Sequence, residues 1–89
     1  MRAVRILVRG LVQGVSFRYY ARQEARSLNL RGWVRNTSGG EVVIQAKGEE
    51  PDIIEFIAWC KKGSPGADVS EVDVNEIEGF EVVGFEVRY

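Results

Sequence analysis

The chain has 89 residues, 45% of them hydrophobic and 28% charged, with a net charge of -1 and a pI near 5.5. That is the balance of a single globular domain without the basic excess that nucleic acid attracts. It contains no histidine, which excludes histidine acid–base chemistry and histidine metal sites, and its one cysteine, Cys60, cannot form an intrachain disulfide.

Residues 2–9 alternate, with Val4, Ile6 and Val8 on one face and Arg5 and Arg9 on the other, which predicts a half-buried strand. Met1 to Arg5 leads straight into this strand pattern and does not read as a leader; no apolar run reaches membrane-spanning length. With a lone cysteine, the expected location is the cytoplasm. A short loop bracketed by Gly10 and Gly14 follows. From Phe17 the period becomes helical, and Phe17, Tyr20, Ala21, Ala25 and Leu28 form a stripe. Asn29 suits a left-handed helix cap, with Leu30 folding back over the last turn.

Residues 30–36 read as a second strand, with Trp33 and Val34 on opposite faces, and Thr37-Ser38-Gly39-Gly40 as a turn. Glu41 to Lys47 alternates again and completes a hairpin. Pro51 suits the first position of a second helix, in which Ile53, Phe56, Ile57 and Cys60 share a face and which Lys61, Lys62 and Gly63 close. Residues 69–77 read as a fourth strand, with Val72 and Val74 inward, and Phe85, Val87 and Tyr89 as one face of a short final strand.

This order, β-α-β-β-α-β plus a terminal strand, predicts one α+β domain over residues 1–89. It is the ferredoxin-like split βαβ pattern, an antiparallel sheet with two helices on one face. Strands one and two are joined through a helix and so run parallel, which brings the loop after strand one and Asn36 at the end of strand two to the same end of the molecule. With one strand between them, they stand about 9–10 Å apart.

The glycine loop has two readings from its spacing: a tight strand–helix connection, or a cradle whose free amides close around an anion at a helix N-terminus. Walker A does not fit, because Gly10 and Gly14 are too close and no Lys-Ser/Thr follows, and the dinucleotide fingerprint lacks its third glycine and its sheet pattern. Arg18, Arg22 and Arg26 lie one turn apart, the ordinary pattern of a solvated face. Arg18 differs because it stands at a helix N-terminus, where a cation opposes the dipole unless an anion neutralises it. Asn36 is either a turn residue or part of the same site. A site of loop amides, Arg18 and Asn36 holds no strong acid or base. It can bind a phosphoryl group and position a water, which suits a leaving group that departs unprotonated, such as a carboxylate with a pKa around 4. An acyl phosphate meets that demand.

The residues also carry a resemblance. Gly10-Leu11-Val12-Gln13-Gly14-Val15-Ser16-Phe17-Arg18 resembles the first signature of the acylphosphatase family, G-x-V-Q-G-V-x-F-R, and Gly32-Trp33-Val34-Arg35-Asn36 with Gly40, Val42 and Gly48 resembles the second. Trp59 to Gly63 and the C-terminal Tyr89 are similar to the family as well, so the likeness covers nearly the whole chain. It implies metal-free, cofactor-free hydrolysis of the carboxyl–phosphate bond, giving a carboxylate and inorganic phosphate. It further implies that Arg18 and the backbone of Gln13, Gly14, Val15, Ser16, Phe17 and Arg18 hold the phosphate, and that Asn36 orients the attacking water. The expected partners are a small acyl phosphate and inorganic phosphate as product and inhibitor, with no nucleic acid or membrane, for a monomeric enzyme. A non-catalytic phosphate- or carbamoyl-phosphate-binding module is the rival, since such domains occur fused to larger maturation enzymes. An RNA-binding sheet would want exposed aromatics among basic residues, a run that is missing here.

Overall fold

Seven elements follow one another as β1 (Arg2–Leu11), α1 (Phe17–Ser27), β2 (Arg31–Asn36), β3 (Val42–Gly48), α2 (Glu50–Lys62), β4 (Asp68–Glu76) and β5 (Phe85–Arg88). They come from a computed structural model that describes all residues from Met1 to Tyr89. The sheet order is β4-β1-β3-β2-β5. Through β4-β1-β3-β2 every pairing is antiparallel, as expected, but β5 joins β2 in parallel and makes the sheet mixed. Strands β1, β2 and β5 therefore point the same way, and their C-terminal ends gather at one end of the molecule.

Alternation decides which face is covered. Val4, Ile6 and Val8 of β1, Val42, Ile44 and Ala46 of β3, Val34 of β2 and Phe85 of β5 are all buried in one core with Phe17, Ala21, Ala25, Ile53, Phe56 and Cys60 from the helices. Helix α1 lies over β2 and β5, and α2 over β1 and β4. The buried line of α1 is narrower than the periodicity predicts. Phe17, Ala21 and Ala25, spaced by four, are its buried residues, and the two alanines let the helix sit close to the sheet. Tyr20 falls beside that line, 40% exposed, edge-on to Tyr19 at 5.2 Å. Asn29 does adopt the left-handed cap, with φ of 58°. The Leu30 amide donates to Ala25 O at 2.9 Å and the Asn29 amide to Arg26 O at 3.1 Å, the two bonds that close a helix end around a left-handed residue.

On the uncovered face Trp33 is nonetheless buried, flanked by the guanidinium groups of Arg88 at 5.0 Å and Arg35 at 5.7 Å from its ring centroid. Elsewhere on that face Arg9 reaches Glu41 at 3.0 Å and Glu71 at 3.5 Å, and hydrogen-bonds Asp73.

Cys60 is fully buried beside Phe56 and Ile53, and burial pushes its thiol far above the ordinary value. Cys60→Ala should therefore lose about 1 kcal/mol of stability, the cost of a small core truncation, and remain active. Complete loss of activity in a variant that still melts cooperatively would identify the thiol as a nucleophile instead.

Candidate active site

The loop between β1 and α1 is shaped by two glycines. At Gly10 the β1–β4 register shifts, φ is 123°, and a Cβ would stand 2.2 Å from Asp68 O, so no side chain fits. At Gly14 φ is 76°, and two residues on Ser16 is also left-handed, at 58°. Left-handed residues interleaved with ordinary ones curl the backbone so that successive N–H groups share one side, the concave arrangement that binds anions. Ser16 is the N-cap of α1 but makes no side-chain cap bond. Outside regular elements, no backbone hydrogen bond is donated by the amides of Val12 to Tyr19; the Tyr20 amide, bonded to Ser16 O at 3.2 Å, is the first to find a partner.

Two side chains anchor the loop from outside. Gln13 Nε2 donates at 2.8 Å to both Thr37 O and Glu41 O, and the buried Ser64 hydroxyl donates to Val15 O at 2.9 Å. Gln13 thus ties the cradle to the β2–β3 turn that begins after Asn36. Phe17 contributes only backbone, since its ring is in the core against Trp59 at 5.2 Å.

Beside the loop opens a cleft of about 440 Å³ whose walls include Gly14, Ser16, Arg18, Asn36 and Tyr89. Of the residues expected in the site, Gly14, Ser16, Phe17, Arg18 and Asn36 line it, while Gln13 and Val15 stand behind it as anchors. Arg18 has no carboxylate partner. Its Nη1 donates to Arg88 O at 3.3 Å, and its guanidinium lies 4.7 Å from the Tyr89 ring centroid. These contacts from the end of β5 and the residue after it hold the planar fork without neutralising it. They were not legible in the sequence, because nothing in its periodicity shows that β5 pairs beside β2.

The two helices differ in their charges. α2 carries Glu50 and Asp52 in its first turn and Lys61 and Lys62 in its last, as the dipole favours. α1 has no acid in its first turn and Arg18 there instead. An anion in the cradle would answer both the dipole and the guanidinium. Asn36 supplies the other half of the site: its Oδ1 is buried without a hydrogen-bond partner. An orphaned acceptor opposite an anion cradle is placed to take a hydrogen bond from water or ligand. Nowhere do three or more Asp, Glu or Cys side chains cluster as metal ligands.

The family model described as Acylphosphatase matches residues 4–87. A protein named acylphosphatase from Anaeromyxobacter sp. (strain Fw109-5) is 51% identical over 67 residues, 75% of this chain and 72% of that one. The crystal structure of acylphosphatase from Bacillus subtilis superposes with a TM-score of 0.96 at 40% identity over the whole of both chains. The structure of an acylphosphatase from Coxiella burnetii superposes with a TM-score of 0.94, also 40% identical, over 98% of this chain and 92% of that one. With both signature stretches lining or anchoring one cleft and the family matched from β1 to β5, the chain belongs to the acylphosphatase family.

Proposed function

We propose that this acylphosphatase hydrolyses the carboxyl–phosphate bond by direct attack of water in the cleft between the β1–α1 loop and β2. The terminal phosphoryl group sits on the amides of Gln13 to Arg18, and the Arg18 guanidinium takes two of its oxygens. Asn36 Oδ1 accepts a hydrogen bond from the water and holds it in line with the departing oxygen. The water oxygen bonds to phosphorus as the bond from phosphorus to the acyl oxygen breaks, and that electron pair leaves on the carboxylate. One water proton passes to a phosphate oxygen, so the products are a carboxylate and dihydrogen phosphate. The carboxylate leaves unprotonated, which is why no general acid is needed. The observation that carries this reading is the unpartnered, buried Asn36 Oδ1 sharing a cleft with an arginine that has no acid partner. We further place residues 1–89 in a single domain acting as a cytoplasmic monomer; a lone, buried thiol supports a reducing compartment, and no helix is long and apolar enough to cross a membrane.

The test is hydrolysis of benzoyl phosphate beside phenyl phosphate, with and without EDTA and with added inorganic phosphate. Benzoyl phosphate should turn over, phenyl phosphate should not, chelation should change nothing, and phosphate or sulfate should raise KM with kcat unchanged. No turnover of benzoyl phosphate despite phosphate binding would favour the non-catalytic module. Loss of activity on chelation with rescue by a divalent ion would sink the metal-free mechanism.

A further inference from the structure

Along α1, away from the phosphoryl cradle, the cleft continues. A second depression of about 380 Å³ shares Arg22, Val87 and Tyr89 with the first and adds Arg26 and Glu86. Arg22 is not the solvated face residue that its spacing suggests: its Nε is buried and has no hydrogen-bond partner. The side chain is half-buried, and leaving its Nε–H shut in without an acceptor has a cost that a ligand oxygen would remove. Arg18, Arg22 and Arg26, the three arginines that line the two depressions, enter no ion pair. The one acid in the wall, Glu86, is occupied by Arg88 Nη2 at 3.1 Å. The helix rise places Arg22 about 6 Å beyond Arg18 along the cleft.

Resting on the acyl phosphate reading of the main cleft, we infer that this second depression is a subsite for an anionic group on the acyl part of the substrate, with Arg22 as its principal ligand. The favoured substrates are then acyl phosphates of short dicarboxylic acids, in which the distal carboxylate lies a few bonds from the anhydride. With the phosphoryl oxygens on Arg18, a chain of two to four carbons carries that carboxylate over the 6 Å step to the Arg22 fork. Arg26, exposed at the far end, adds field but no enclosed contact.

The experiment compares kcat/KM for succinyl phosphate with that for benzoyl phosphate in the parent chain and in Arg22→Gln. The ratio of the two should fall about tenfold in the variant, the size of one charge-assisted hydrogen bond, and the fall should appear in KM. Arg22→Lys should recover part of it. Equal losses on both substrates, or an unchanged ratio, would overturn the subsite. A second measurement does not depend on turnover. In a phosphate-saturated sample, the NMR signal of the Arg22 side-chain Nε–H should shift on titration with succinate and not with succinamide. No shift, or the same shift with both, would also overturn it. If succinate moves that signal while neither acyl phosphate is hydrolysed, the subsite stands and the catalytic reading fails.

Discussion

Arg18→Ala should cut kcat/KM for benzoyl phosphate by roughly three orders of magnitude, the lower end of what a transition-state arginine contributes to phosphoryl transfer. The loss should be shared between KM and kcat, because the guanidinium meets the phosphoryl oxygens before and during the reaction, and the inhibition constant for phosphate should rise in step. Arg18→Lys should be little better: an ammonium is a point charge and cannot replace the fork that the Arg88 carbonyl and the Tyr89 ring hold in one plane. Stability should move the other way. Arg18 is a cation at a helix N-terminus without an acid in the first turn, so alanine there should leave the melting temperature unchanged or slightly higher. A variant that keeps near-normal kcat/KM would remove Arg18 from the site. One that is inactive only because it no longer folds would contradict the electrostatic argument.

Asn36→Ala should lower kcat by about two orders of magnitude while the phosphate inhibition constant stays within a factor of two, since the side chain acts on the water and not on the anion. The buried Oδ1 has no partner within the protein, so its removal deletes an unsatisfied acceptor and should cost little stability. Measured together, the two variants separate binding from water positioning. If Asn36→Ala weakens phosphate binding as much as Arg18→Ala does but spares kcat, Asn36 is a phosphate ligand and the water is held elsewhere.

Most of the fold was legible because alternation and helical spacing report burial directly: Val4, Ile6 and Val8, or Ile53, Phe56 and Cys60, could take few other arrangements. Boundaries moved little. β4 begins at Asp68, and α2 begins at Glu50, one residue before Pro51. Tyr20 was misplaced because periodicity shows a direction but not its width, and two alanines made the buried line narrow. The meeting of Arg18 and Asn36 followed from a parallel β1 and β2, which chain order alone dictates. What lay beyond the sequence were contacts made to backbone atoms. Gln13 reaches the carbonyls of Thr37 and Glu41, and Arg18 the carbonyl of Arg88, and neither partner's side-chain identity carries that information. Arg22 escaped notice for another reason: spacing placed it on a row of arginines, and spacing cannot show that its Nε is buried without a partner while the side chain lines a depression beside β5.

The sheet ends on two very different margins. An outermost strand offers unpaired N–H and C=O groups to any passing chain, and runaway pairing along such a margin builds fibrils. β5 presents only four residues, and its outward side chains are the charged Glu86 and Arg88. β4 is nine residues long but carries Asp68, Glu71, Asp73 and Glu76. A second molecule docking antiparallel on β4 would set carboxylate against carboxylate, where like charges repel. The acids that Arg2 and Arg9 hold in ion pairs thus have a second consequence at the edge farthest from β5: they mark that open margin with charge, one of the devices by which proteins blunt an exposed strand.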